Sequence, residues 1–521
     1  MSSLPSPWDV PPIHRSIGEA ARSLAYATLV LVVVLPAASA SAQDSTLAVG
    51  SKKFTENVIL GAMATQLMRT SGAAVTHREE LGGSRFLWEA LVRGDIDVYP
   101  EYTGTLIQEI LASETVTRNN LEDVLSTYGV RMTAPLGFNN TYALGMQAPQ
   151  ADALGIRTIS DLRDHPDLRF GFSNEFMDRG DGWPALQQAY NLPQTNVRGI
   201  DHDLSYRGLA NDAVDVIDLY STDAEIAAYD LRVLRDDQDF FPTYRALYLY
   251  RADLAERAPE AVGALRRLEG RIPAETMTQL NKQAKIDGEA EAQVAASFVN
   301  ETLDLPQRIT VETESRTERV WLRTQEHVVL VGVSLLLAIL AAIPLGVVAF
   351  KTGWIGQGVL LVVGITYTIP SLALLAMMVP PLGLGRVPAI TALFLYSLLP
   401  IVWNTYTGLN DIPRPLTESA LALGLSDSAR LRRVELPLAA RSILAGIKIA
   451  AVINVGTATL GALIGAGGYG QPILTGIRRA DLGLILEGTV PAAILTVVLL
   501  VLFEGIERAL LPSDNDSAAP E

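Results

Sequence analysis

The sequence predicts an α/β two-lobed N-terminal domain over residues 44–310 and an all-α polytopic membrane domain over residues 327–511. Three observations lead there. Short apolar strands alternate with helical stretches between Asp44 and Trp321, as in α/β domains. From Glu326 to Leu511 charges are sparse and uncharged runs exceed twenty residues, long enough to cross a bilayer. One strand end is also written twice. "GDIDVYPEYTGT" from Gly94 and "NDAVDVIDLYSTD" from Asn211 align Asp97 with Asp215, Val98 with Val216, Tyr102 with Tyr220 and Thr103 with Ser221.

In chain order, Arg15 and Arg22 precede the apolar stretch "SLAYATLVLVVVLPAASASA", which closes on small residues, Ala38-Ser39-Ala40 or Ala40-Ser41-Ala42. Residues 1–43 read as a secretory signal peptide. The alternative is an uncleaved signal anchor, because the apolar part is close to spanning length. Both put residue 44 onward outside the cytoplasm.

Residues 46–57, "TLAVGSKKFTEN", predict a strand running to Gly50-Ser51-Lys52 and a helix from about Thr55. "LGGSRFLWEALVRGD" (81–95) predicts a glycine turn and a helix feeding the repeated strand. Ligands bind beyond the carboxyl ends of strands in open α/β sheets. Two lobes that end a strand alike therefore place Tyr102 and Tyr220 on opposite walls of one cleft. Asp97 and Asp215 read as structural caps of these strands, and Trp88, Trp183 and Tyr99 as packing. No nucleophile–base–orienter set is present, so the chain is not expected to be an enzyme.

Residues 311–326 read as a linker. Five spans follow, roughly Val328–Phe350, Gln357–Val379, Pro388–Thr407, Ser442–Ala466 and Leu484–Phe503. The first runs inward, so the loop 411–441 with Arg414, Arg430, Arg432, Arg433 and Arg441 falls in the cytoplasm, as the positive-inside rule requires. Arg478 and Arg479 fall on the outer side, against the rule. Residues 512–521 read as a disordered tail.

Composition excludes several functions. The net charge is −16, and residues 1–43 and 327–521 each carry equal numbers of cations and anions, so the whole excess lies in 44–326. Such an acidic domain argues against nucleic acid or an anionic lipid surface as partner. The absence of cysteine removes disulfides, thiolate metal sites, cysteine nucleophiles and a lipid anchor on cysteine. The five histidines lack metal-ligand spacing, and no cofactor is expected. No G-x-x-x-x-G-K-[ST] occurs, so ATP hydrolysis would belong to a separate chain.

The cytoplasmic loop reads "ESALALGLSDSARLRRVELPLA". Glu418, Ala420, Gly424, Val434, Leu436 and Pro437 fit E-x-A-x(3)-G-x(9)-[IV]-x-L-P, which resembles the EAA loop of ABC importer permeases. Ser419 stands where that family usually has Ala. In that family the loop forms a short helix seated in a groove of a cytoplasmic ATPase. Here Glu418 to Leu423 can form the helical turn, Gly424 can stop it, and Leu436-Pro437 can begin the return to the membrane. "GAGGYGQPI" (Gly465–Ile473) resembles the glycine-rich segment near the end of such permeases.

The soluble part resembles, over most of its length, the glycine betaine/choline-type binding proteins of ABC importers. The blocks are "GSKKFTENVILG", "LGGSRFLWEAL", "YPEYTGT", "LGFNNTYALGM", "NEFMDRGDGW", "VDVIDLYSTD" and "FFPTYRALY", in that order. The resemblance implies a two-lobed periplasmic-binding-protein fold whose tyrosine cage holds a quaternary ammonium. The carboxylate of the ligand is held by a lysine, an arginine and a threonine. Carried over, the cage is Tyr102, Tyr142, Tyr220 and Tyr244, and the carboxylate site is Lys52, Thr105 and Arg179. The chemistry fits: a trimethylammonium donates no strong hydrogen bond and is drawn to π faces, while a carboxylate takes a guanidinium fork or an ammonium.

The chain thus reads as a binding protein fused to a permease. It would import glycine betaine or a related osmolyte through a membrane dimer, powered by a cytoplasmic ABC ATPase. Choline, carnitine and ergothioneine are alternative solutes, and Lys52 with Arg179 favours one bearing a carboxylate. A membrane osmolyte sensor is the alternative of another class. It needs an output domain, and "PSDNDSAAPE" after Leu511 reads as a tail instead.

Overall fold

The computed structural model describes residues 46–112, 114–311, 315–479 and 481–510; the expected signal segment and C-terminal tail lie outside the described residues. The N-terminal half is two five-stranded sheets built on one plan. The first contains β1 (Leu47–Gly50), β2 (Val75–Arg78), β3 (Val98–Tyr102), β4 (Val130–Met132) and β10 (Ala246–Arg251), in the order β2-β1-β3-β10-β4. The second contains β5 (Tyr142–Gln147), β6 (Phe170–Ser173), β7 (Val197–Ile200), β8 (Val216–Tyr220) and β9 (Leu231–Leu234), in the order β7-β6-β8-β5-β9. β1 runs parallel to β2 and β3 as β6 does to β7 and β8. β10 runs antiparallel to β3 and β4 as β5 does to β8 and β9. The repeated strand ends are therefore β3 and β8, each in the third place of its sheet.

The repeated aspartates tie strand to neighbour. Asp97 accepts from Ala48 N at 2.9 Å, and Asp215 accepts from Arg169 N at 2.8 Å. Trp183 is buried against Phe170 and Phe172, Tyr99 is buried, and Trp88 packs on Tyr128.

The helix α1 (Thr55–Thr70) starts where expected and is buried over most of its length, contributing Ile59, Leu60, Met63 and Leu67 to the main core. α2 (Ser84–Arg93) ends at Gly94. The chain passes between the lobes around residues 133–141 and 235–245. These two crossings are bonded to each other, Asn140 N to Tyr244 O at 3.0 Å and Tyr244 N to Asn139 Oδ1 at 2.6 Å. α3 (Ala274–Lys285) and α4 (Glu291–Thr302) then pack back on α1.

Residues 311–326, expected as a linker, are helical from Arg316 onward. α5 (Arg316–Lys351) opens with a capping box in which Ser315 and Glu318 satisfy each other's backbone N–H groups. The sequence "SRTE" carries that signal, and reading the segment as a linker passed over it.

The second expected span, Gln357–Val379, is two helices, α6 (Gly353–Thr368) and α7 (Ser371–Leu382), bent by 100°. Pro370 causes the break, because it lacks an N–H and drives the preceding Ile369 into an extended conformation. The longer helices that follow are α8 (Arg386–Asn410), α9 (Arg414–Ala422), α10 (Leu436–Thr457), α11 (Gly470–Arg478) and α12 (Leu482–Leu510). Among the described residues, four helices are long and apolar enough to cross a membrane, or five spans if the bent pair counts as one.

The contacts of this half sort its ends. Val379, Pro380, Thr475 and Arg478 meet the N-terminal domain. At the opposite end Lys351 lies 3.9 Å from Glu435, and Arg441 lies 3.6 Å from Glu507. The bent pair therefore runs from one end of this half to the other. Asn454 on α10 donates to Ser334 on α5 at 3.1 Å and to Ser397 on α8 at 2.8 Å, pinning three helices together in the apolar interior.

Candidate ligand-binding site

The seven side chains singled out from the sequence line one cavity between the lobes, together with Phe54, Ser84, Asn140 and Glu175. Lys52 sits on the loop from β1 to α1, Tyr102 ends β3, and Thr105 follows within one turn. Arg179 and Tyr220 come from the second lobe. Tyr142 opens β5 just beyond one crossing, and Tyr244 lies on the other. Gly104 makes room for Tyr244: a Cβ there would stand 2.4 Å from its ring.

The rings form a continuous wall. Tyr142 and Tyr220 centroids are 5.0 Å apart, and Tyr142 and Tyr244 are 5.7 Å apart, edge to face. Phe54 links the lobes, 6.2 Å from Tyr102 and 5.5 Å from Tyr220. Burial raises the phenols of Tyr102, Tyr142 and Tyr220 well above their ordinary values, so these rings stay neutral. A concave set of neutral aromatic faces attracts a cation that needs no hydrogen bonds.

Both cations of the site already have partners. Lys52 Nζ donates to Glu101 Oε1 at 2.5 Å and lies 5.2 Å above the Tyr102 ring. Arg179 binds Asp181 through two nitrogens at 2.7 and 2.8 Å, and its guanidinium lies 5.2 Å from the Tyr142 ring centre. Burial works against the Arg179 charge, but neighbouring Tyr142, Asp181 and Glu175 more than offset it, so the pKa is raised. Glu175 lines the cavity 3.7 Å from Arg179 Nη1. The wall therefore carries Lys52, Arg179 and Glu175, with Glu101 and Asp181 paired to the two cations from behind it, a balance suited to a cation or a zwitterion.

Sequence reasoning did not find Phe54, Ser84, Asn140 or Glu175. Phe54, Ser84 and Asn140 lie inside quoted blocks, as does Glu175, but no periodicity marks them. It also did not find Glu56, buried directly behind Tyr102 and accepting that hydroxyl at 2.7 Å.

At the far end of the membrane half, α9 spans Arg414–Ala422 with Ala420 buried and Glu418 exposed. Gly424 adopts φ +78°. Gly424 N and Leu425 N bond back to Leu421 O and Ala420 O at 2.9 and 3.2 Å, ending the helix. Leu436-Pro437 begin α10. Leu421 and Leu423 are exposed, and buried Glu435 anchors the loop to Arg430 at 2.8 Å.

Residues 45–301 match the family model for the substrate-binding domain of ABC-type glycine betaine transport systems. Residues 334–513 match that for binding-protein-dependent transport system inner membrane components. The chain is 41% identical over 191 residues to the choline transport system permease protein of Bacillus subtilis (strain 168), over 37% of this chain and 88% of that protein. The chain belongs to the glycine betaine/choline family of ABC importers. Within that family it is a binding protein and permease in one polypeptide, not itself an enzyme. Its permease half is multi-pass and its binding domain extracytoplasmic.

The ergothioneine transport permease/ergothioneine binding protein of Helicobacter pylori (strain G27) is 32% identical over 263 residues, which is 49% of this chain and 48% of that protein. The chain thus matches about half the length of this relative. A crystal structure of a glycine betaine/carnitine/choline ABC transporter aligns with 49% of this chain and 98% of its own, at 30% identity and a TM-score of 0.43. The outer position of Arg478 and Arg479, against the charge rule for loops, has a local reason: both form ion pairs with the binding domain.

Proposed function

We propose that this cavity takes the quaternary ammonium of glycine betaine or a related osmolyte against Tyr102, Tyr142, Tyr220 and Tyr244. Its carboxylate meets Lys52, Thr105 and Arg179. The observation that carries the reading is the convergence of these seven side chains, from both lobes and the 235–245 crossing, on a single cavity. The solute then passes through a permease homodimer in the lipid bilayer. ATP is hydrolysed by a separate ABC ATPase seated on α9, where exposed Leu421 and, just past the helix, Leu423 offer it an apolar contact.

A second reading is choline, which lacks a carboxylate. It is favoured by the Lys52–Glu101 and Arg179–Asp181 pairs, which already engage both cations, and by Glu175 in the wall. Carnitine and ergothioneine share the cation and carboxylate of the first reading, and relatives named for transport of each are similar to this chain.

Calorimetry of the full chain in nanodiscs tests the proposal, using glycine betaine, choline, carnitine, ergothioneine and unmethylated glycine. The expected result is binding of at least one quaternary amine and none of glycine. Arg179→Ala is expected to weaken a betaine more than choline. Binding of none of the four quaternary amines overturns it.

A further inference from the structure

Glu56 does not line the ligand cavity, yet it is buried with four donors on its carboxylate. Oε1 accepts from Tyr102 Oη at 2.7 Å and Asn140 Nδ2 at 2.8 Å. Oε2 accepts from Thr222 Oγ1 at 2.5 Å and Asn281 Nδ2 at 3.1 Å. These donors come from four places: the first lobe, a crossing, the second lobe and α3. Asn281 also donates to the Thr222 carbonyl at 2.9 Å, so Thr222 of the second lobe is gripped at two atoms. Hydrogen bonds to a buried carboxylate are among the stronger ones. Opening the cleft has to break the Thr222 contacts.

The preceding residue, Thr55, faces the permease. Arg478 of α11 donates to Thr55 Oγ1 at 3.0 Å, to Glu80 Oε1 at 2.7 and 2.9 Å and to Glu291 Oε1 at 2.5 Å. Arg479 adds a second ion pair to Glu291, and Arg93 reaches the carbonyls of Val379 and Pro380 at 3.3 and 3.2 Å. Thr55, Glu80, Arg93 and Glu291 all belong to the first lobe or to the helices packed on it.

The geometry points to Glu56 as an interlobe latch that holds the cleft shut without touching the ligand, on a first lobe clamped to the permease by Arg478, so that the second lobe alone moves. This rests on the proposed reading of the cleft as a closing ligand site, but its test contains no ligand and so fails or succeeds separately. A purely structural Glu56 would instead change melting and leave lobe distances alone.

The chain has no cysteine, so spin labels can be placed in pairs on the full chain in nanodiscs, at Ser126 in the first lobe, Gln188 in the second and Thr317 at the start of α5. Pulsed electron–electron distances are then read without ligand. The wild type is expected to show a short 126–188 population. Glu56→Gln and Thr222→Val are expected to deplete it about fivefold or more, while Thr222→Ser, which keeps the hydroxyl, retains it. The 126–317 distance should stay fixed in all three and broaden in Arg478→Gln. A wild type without a short 126–188 population, or Glu56→Gln and Thr222→Val that both leave it unchanged, overturns the latch. A 126–317 distance that changes as the cleft opens overturns the clamp.

Discussion

Tyr102 and Tyr220 end the third strand of two sheets with the same pairing plan, and both line one cavity between them. Their hydroxyls differ. That of Tyr102 donates to the buried Glu56 carboxylate at 2.7 Å, whereas that of Tyr220 meets the Tyr142 hydroxyl at 3.4 Å. Both rings line the cavity, and they are unequal in what holds them. Replacing Tyr102 by Phe is therefore expected to cost about 1 kcal/mol of domain stability by leaving a buried acceptor short of a donor. Tyr220→Phe should cost less. Thermal melting of the two variants side by side measures the difference, and equal losses would contradict the assignment.

The α9 loop yields a prediction about coupling. Glu418→Lys reverses an exposed charge on the helix proposed to meet the ATPase. Gly424→Leu forces a branched residue into φ +78°, a strain of about 1–2 kcal/mol, with open space around its side chain. Each is expected to abolish uptake in proteoliposomes while solute affinity stays at the wild-type value. Unimpaired uptake in both would remove the loop from that role.

The same structure fixes the sidedness expected of two positions. A lone cysteine at position 200, on β7 of the binding domain, is expected to react with a membrane-impermeant thiol reagent in intact cells. One at position 425, beside Gly424, should react only after lysis. Labelling at 425 in intact cells would invert the topology.

His202 gives a pH dependence. Burial lowers an imidazole, but Asp223, Asp218 and Asp203 override it and raise the pKa to about 9. The ring centre lies 4.5 Å from that of Tyr220, tilted by 33°. A histidine raised in the folded state contributes stability in full below its unfolded value of about 6.5, and that contribution is lost as the pH climbs through about 9. The contribution is at most about 3 kcal/mol. Melting followed by tryptophan fluorescence at pH 6, 8 and 9.5 is expected to fall more steeply with pH for the wild type than for His202→Gln. Parallel curves would show that His202 does not carry the dependence.

How much of this was legible beforehand follows from what each feature depends on. The twin strands were readable because a period of two and a terminal tyrosine survive in text, and the seven site residues sat in blocks of local sequence. The break at Pro370 was available from Ile369-Pro370 and was outweighed by a continuous apolar run. Glu56 was out of reach. Its partners Asn140, Thr222 and Asn281 lie 84, 166 and 225 residues away, and only the fold collects them. The pairing of Lys52 with Glu101, 49 residues away, likewise depends on the fold, whereas Arg179 and Asp181 stand two residues apart in one loop. It changes the argument about the solute, since neither cation stands unpaired.

The central claim is that the tyrosines form a cation cage, and the most direct measurement sets affinity against stability for Tyr102→Ala, Tyr220→Ala and Tyr220→Phe. Dissociation constants come from calorimetry with whichever quaternary amine binds the wild type, and melting curves are taken on the same samples. The account predicts a loss of about 1–2 kcal/mol in each alanine variant, roughly five- to thirtyfold in affinity, and little change in Tyr220→Phe, which keeps the π face. Alanine variants that melt lower yet bind as the wild type does would contradict it, and would make both tyrosines packing residues.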